Sequence, residues 1–144
     1  MKNSGKILLV EDNEEDAELT IRALRKDKLS EKLDWVKDGE EALNYVFSES
    51  VEGGKNIQKP SVILLDLQLP KISGLEVLRK IKENSETKHI PVVILTSSND
   101  EPNIKKGYDL GANSYIVKPV DYESFKKCIN EIGFYWIVTN EKIQ

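Results

Sequence analysis

Short apolar runs alternate with segments of helical period from one end of the chain to the other. The runs at residues 6–10, 33–37, 61–65, 91–95 and 114–117 predict five strands, and three of them are near-continuous Val, Ile and Leu. Runs without polar alternation belong to strands covered on both faces, which points to a parallel sheet. Between them, apolar residues recur at helical spacing: Ala17, Ile21 and Leu24; Ala42, Leu43, Val46 and Phe47; Leu75, Leu78 and Ile81; then Ile104 and Tyr108. Asp38-x-x-Glu41, Ser73-x-x-Glu76 and Ser98-x-x-Glu101 mark helix starts, and Gly111 suits a helix end. No Pro/Gly/Ser-rich linker and no solenoid-length repeat interrupts this alternation, so the 144 residues read as a single domain. Right-handed crossovers then give an α/β class, (βα)5, doubly wound five-stranded parallel sheet with helices on both faces.

In such a sheet, ligand chemistry lies beyond the carboxyl ends of the strands. Glu11 and Asp12 follow the first strand, Asp66 the third, Thr96 the fourth and Lys118 the fifth. Three carboxylates in one crevice repel by about 4 kcal/mol per pair at 4 Å and an effective dielectric of 20. Lys118 offsets one of the three negative charges, and a single Mg²⁺ cancels the remaining two with the hard oxygen ligands it prefers. A carboxylate in that setting can attack phosphorus and form an acyl phosphate, with a lysine and a threonine hydroxyl stabilising the phosphoryl oxygens. Asp66 is the central carboxylate of the set. Taken singly, each residue has a plain structural reading: Asp66 as a turn residue, Thr96 as a cap, Lys118-Pro119 as an exposed loop. Their joint placement at one sheet edge favours the chemical reading. Glu14, Glu15 and Asp16 read instead as a solvated first turn, favoured by the helix dipole.

Charge narrows the classes further. With 21 Lys and Arg against 25 Asp and Glu, the net charge of −4 offers no basic surplus for a phosphate backbone, so direct nucleic-acid binding is not expected. The one cysteine, Cys128, on the apolar stripe of the last helix, and the one histidine, His89, exclude an intrachain disulfide and the usual zinc ligand sets. The apolar run from Ile7 to Val10 is too short for a signal peptide or a membrane span. A cytoplasmic protein without a membrane partner is expected, with no room for an output module of ordinary size.

The pieces Leu8-Leu9-Val10-Glu11-Asp12-Asn13, Leu64-Leu65-Asp66-Leu67-Gln68-Leu69-Pro70, Gly74, Leu95-Thr96-Ser97, Gly111-Ala112 and Tyr115 through Pro119 recur in one order and spacing. On these the chain, over about residues 5–133, resembles the receiver domain of two-component response regulators, which has a flavodoxin-like fold. The resemblance implies that Asp66 accepts a phosphoryl group from a histidine kinase or a phosphotransfer protein. It also implies that Glu11, Asp12, Asp66 and the backbone carbonyl of Gln68 hold Mg²⁺, that Lys118 pairs with the phosphoryl group, and that the bond into Pro119 is cis. Thr96 and Tyr115 match a switch pair that biases the surface of the fourth helix, fifth strand and fifth helix. The long polar loop from Ser48 to Lys59, the run 108–113 and the aromatic tail are similar to stand-alone receivers paired with phytochrome-type histidine kinases. Such a protein is not an enzyme beyond its own phosphorylation and dephosphorylation.

Two other functions share parts of this pattern. A Mg²⁺-dependent aspartyl-phosphate phosphatase usually carries a second aspartate two residues after the nucleophile, where this chain has Gln68. A flavodoxin-like electron carrier needs a hydroxyl- and glycine-rich phosphate loop where Glu11 to Glu15 stand. A pseudo-receiver that binds partners without phosphorylation is a further alternative, opposed by the competent residue at every site position.

The tail carries one more expectation. Phe125, Cys128, Ile129, Ile132 and Trp136 line one side of a last helix, while Phe134, Ile137 and Val138 fall opposite. A helix apolar on two sides predicts a homodimer through the fifth-helix surface, with 134–144 as a helical extension. The competing reading is that Gly133 ends the helix and lets Phe134 to Val138 fold back.

Overall fold

The computed structural model describes residues 5–26, 28–48, 51–52, 55–56, 59–97 and 101–133. Five strands, β1 (Ile7–Val10), β2 (Leu33–Val36), β3 (Val62–Asp66), β4 (Val92–Thr96) and β5 (Ser114–Val117), form one sheet in the order 2-1-3-4-5. Every neighbouring pair is parallel. The crossovers contain α1 (Glu14–Arg25), α2 (Gly39–Phe47), α3 (Gly74–Glu83) and α4 (Glu101–Asp109), and α5 (Tyr122–Ile132) follows β5. This is the doubly wound, flavodoxin-like receiver fold. Among the described residues no helix is long and apolar enough to cross a membrane.

Period-two alternation divides the core between the two faces. Ile7, Leu9, Val62, Leu64, Val93, Leu95 and Ile116 pack with Ala17 and Leu24 of α1 and with Phe125 and Ile129 of α5. The intervening Leu8, Val10, Ile63, Leu65, Val92 and Ile94 pack with Ala42 and Val46 of α2 and with Val77, Leu78 and Ile81 of α3. Continuous apolar strands are therefore two half-cores read alternately. The parity also carries to the strand ends. Glu11, Asp66 and Lys118 continue the series that faces α1 and α5, whereas Thr96 continues the series that faces the other helices.

Several local expectations are corrected. Asp66 and Thr96 do not follow their strands but close them, because the ladder continues through Leu67 N–H to Leu95 O (3.3 Å) and Lys118 N–H to Thr96 O (2.7 Å). Tyr108, read as core, is 43% exposed and meets Tyr115 edge-on instead. Asp38 and Ser73 cap their helices by accepting from Glu41 N–H and Glu76 N–H. Their returning carboxylates behave differently: Glu41 accepts from Lys37 N–H, and Glu76 turns away to pair with Arg79. Ser98 lies outside the described residues. The segment read as a plain polar loop contains a short antiparallel hairpin, Val51–Glu52 with Lys55–Asn56.

The last helix stops at Ile132, where Gly133 takes a left-handed φ of 117° and its N–H returns to Ile129 O. A glycine tolerates that conformation without steric cost, and the helical extension expected over 134–144 lies outside the described residues. Phe134, Trp136, Ile137 and Val138 lie outside the described residues.

Candidate functional site

The carboxyl edge of the sheet gathers its charge around one ammonium group. Lys118 Nζ lies 2.9 Å from Glu11 Oε1, 2.9 Å from Asp16 Oδ2 and 3.1 Å from Asp66 Oδ2. The side chains of Lys118, Glu11 and Asp66 are 7%, 0% and 6% exposed, so these ion pairs are shielded from water. Oxygens of Glu11, Asp12 and Asp66 lie within 4.8 Å of one another, with Asp12 on the exposed side. The Lys118–Pro119 bond is cis.

Backbone contacts fix the carboxylates. Asp66 Oδ1 accepts from Gln68 N–H (3.0 Å), and Glu11 Oε2 accepts from Asn13 N–H (3.3 Å). The Trp35 indole N–H donates to Glu11 O (2.7 Å), and Glu11 N–H donates to Val36 O (3.1 Å), so β2 holds the end of β1 from outside. Across the pocket, α3 begins hard against β3. A Cβ on Gly74 would stand 2.3 Å from Asp66 O and 2.5 Å from Leu67 Cα, so only glycine allows this approach.

Burial pushes the Glu11 carboxyl up to about 8; its hydrogen bond to Asp66 adds to the rise and Lys118 opposes it. Burial alone would lower the Lys118 ammonium. Its hydrogen bonds to Glu11 and Asp16, with the charges of Asp66 and Glu11, raise it instead, and it stays protonated. Fully ionised, the four carboxylates would outweigh the lysine by three charges. The raised Glu11 carboxyl is in keeping with that crowding of acidic groups in a buried place. Hard oxygen donors around this excess fit a divalent ion of the Mg²⁺ or Mn²⁺ type.

Thr96 and Tyr115 stand on the opposite face. Asp66 is in register with Leu95, so Thr96 lies one residue further along the neighbouring strand, paired with Val117. Thr96 is buried, while half-buried Tyr115 packs against Tyr108 with ring centroids 6.0 Å apart and planes at 81°. With Glu101, Ile104 and Lys105, the two tyrosines line a cleft of about 410 Å³. His89 is exposed, and half-buried Cys128 lies near Tyr115 O (3.7 Å).

Sequence reasoning missed two participants. Asp16, set aside as a solvated helix residue, is drawn into the site by Lys118. Its signal was positional: Asn13 caps α1 by accepting from Asp16 N–H (2.9 Å), which makes Asp16 the third helical residue, whose side chain reaches back toward the cap and hence toward β1. Trp35 left no motif at all, since an aromatic residue on an edge strand is ordinary.

The comparisons agree with this geometry. The response regulator receiver domain family matches residues 7–130. The probable methanogenesis regulatory protein FilR2 of Methanothrix harundinacea is 40% identical over 134 residues, covering 93% of this chain and 84% of its own. Response regulator Rcp1 of Synechocystis sp. is 36% identical over 133 residues, covering 92% and 89%. The Mn²⁺-bound structure of Rcp1 superimposes with a TM-score of 0.73 at 35% identity, covering 91% of this chain and 93% of that one. The bacteriophytochrome response regulator RtBRR superimposes with a TM-score of 0.79 at 46% identity, covering 89% and 77%. Fold, acidic edge and sequence thus converge, and the chain belongs to the response regulator receiver domain family, close to the phytochrome response regulators.

Proposed function

We propose that this receiver takes a phosphoryl group on Asp66 from a histidine kinase or phosphotransfer protein in a Mg²⁺-dependent reaction, and that phytochrome-type kinases are its donors. The single observation that carries this reading is the convergence of Glu11, Asp12 and Asp66 on one side of a buried lysine that contacts Asp66 directly. A carboxylate oxygen of Asp66 attacks phosphorus, a C–O–P linkage forms, and the donor's bond to phosphorus breaks with its electron pair leaving on the donor nitrogen. Gln68 N–H fixes one oxygen of Asp66 and Lys118 holds the other, so the nucleophile is oriented before the donor arrives. Glu11, Asp12, Asp66 and the Gln68 carbonyl would hold the metal, which supplies neutralising charge for the phosphoryl oxygens.

Thr96 and Tyr115 then form the switch: the hydroxyl turns toward the new phosphoryl oxygen and the ring follows, changing the surface of α4, β5 and α5. The similarity of this chain to a bacteriophytochrome response regulator supports the kinase class. A homodimer through the fifth-helix surface rests on the apolar residues Phe134, Ile137 and Val138. Sedimentation of wild type against Phe134→Asp tests it, since two identical monomers would end that idea. For the phosphoacceptor reading, intact-mass measurement after treatment with acetyl phosphate and Mg²⁺ is expected to show one added phosphoryl group in wild type and none in Asp66→Asn. An unlabelled wild type would overturn it.

A further inference from the structure

A lysine ammonium has three N–H donors, and in this structure three carboxylates receive them. Glu11 and Asp66 belong to the trio of candidate metal ligands, but Asp16 does not. Asp16 stands at the rim, its side chain 28% exposed, on the first turn of α1. Its backbone is fixed at both ends: Asn13 Oδ1 accepts from its N–H at 2.9 Å, and its carbonyl accepts from the hydroxyl of fully buried Thr20 at 3.2 Å. The carboxylate therefore reaches Lys118 from a rigid support.

We propose that Asp16 is a positioning residue for Lys118 in phosphoryl transfer, an inference that rests on the phosphoacceptor reading above. When a divalent cation draws on Glu11 and Asp66, two of the three anchors of the ammonium are weakened, and the cation itself repels the lysine. Asp16 lies outside the ligand trio, so the cation does not draw on it. It holds Lys118 at the pocket, with one N–H still directed at Asp66, where the phosphoryl oxygens arrive. Residues that only filled space would not leave a carboxylate at the water-facing side of the ammonium, where a solvated lysine could otherwise swing out.

The test compares wild type, Asp16→Ala, Asp16→Asn and Asp16→Glu, each with its thermal midpoint, its Mg²⁺ affinity and its phosphorylation rate by acetyl phosphate at saturating Mg²⁺. The rate is expected to fall by about tenfold in Asp16→Ala, the loss of one charge-assisted hydrogen bond. It should fall less in Asp16→Asn and recover in Asp16→Glu, with Mg²⁺ affinity unchanged or tighter throughout. Because Asp16 acts through Lys118, adding Asp16→Ala to Lys118→Met should cost no further rate. Two results overturn the proposal: a wild-type rate in Asp16→Ala at saturating Mg²⁺, or a full further loss in the double variant. If wild type itself is not phosphorylated, the phosphoacceptor reading falls and this inference with it. A labelled wild type with an unaffected Asp16→Ala removes this inference alone.

Discussion

On the α1 and α5 face, the strands run out into charge: Glu11, Asp66 and Lys118 continue the same alternating series as Ile7, Val62 and Ile116. On the other face they run out into a hydroxyl at Thr96 and, further back along β5, the ring of Tyr115 beside Tyr108. The difference teaches how one sheet separates buried charge from a hydroxyl and an aromatic cleft. Buried charge belongs where α1 can contribute Asp16 and where each group finds a partner, since an unpaired buried ion is costly. The half-buried ring of Tyr115 stands instead beside an open cleft, outside the closely packed core. The two regions stay joined through the backbone, because Lys118 N–H donates to the carbonyl of Thr96.

The comparison breaks most sharply if the charged side loses its cation. Lys118→Met leaves buried carboxylates without compensation and is expected to cost about 3–5 kcal/mol, whereas Thr96→Val on the other face should cost about 1 kcal/mol. Urea denaturation of both variants measures this, and Mg²⁺ should restore part of the first loss but none of the second. Equal losses would show that the two faces do not differ as described.

Acidity sharpens the same contrast. Glu11 is raised from 4.5 to about 8 by burial and by Asp66. The folded state thus binds a proton that the unfolded state has released, and stability must fall as pH rises from about 4.5 to about 8. With EDTA present, the thermal midpoint should decline across that window, and saturating Mg²⁺ should flatten the slope. A flat profile in EDTA would contradict a Glu11 carboxyl raised by burial in this pocket.

A smaller effect is expected where α3 meets the end of β3. Gly74→Ala places a methyl group against Asp66 O and Leu67 Cα, backbone atoms that cannot rotate aside. Overpacking of this kind costs about 1–3 kcal/mol, and because it displaces the peptide after Asp66, Mg²⁺ affinity should fall with the denaturation midpoint. A loss of stability with affinity intact would mean that Asp66 is held from β3 alone.

Much of this was legible in the residues themselves. Continuous apolar runs revealed strands covered on both sides, and the strand ends revealed Glu11, Asp12, Asp66, Thr96 and Lys118. Three-dimensional convergence was not legible. Asp16 is one acidic residue among three in a helical first turn, and only the N-cap geometry at Asn13 separates it from Glu14 and Glu15. Tyr108 had the spacing of a core residue, yet Gly107 is what lies beside Ile94, so the tyrosine turns outward to Tyr115. Spacing records which side of a helix a residue occupies, but not how closely that side approaches the sheet.

Trp35 gives the smallest and most selective way to separate the two faces. Its indole N–H donates to the carbonyl of Glu11 at 2.7 Å, and that carbonyl begins the peptide leading to Asp12. Its ring lies under Lys37 Nζ, 5.1 Å from the centroid, while Lys37 also pairs with Glu14 on α1 at 3.3 Å. The aromatic ring thus joins β2 to the rim of the acidic pocket without touching the face that carries Thr96 and Tyr115. Trp35→Phe keeps most of the apolar contact and removes the donor, a change worth about 1 kcal/mol. Calorimetric titration should show Mg²⁺ binding weakened by about fivefold, because the Glu11–Asp12 peptide loses its outer anchor. If affinity is unchanged while the thermal midpoint drops, Trp35 only packs the edge strand, and the end of β1 is held by the Val36 carbonyl alone.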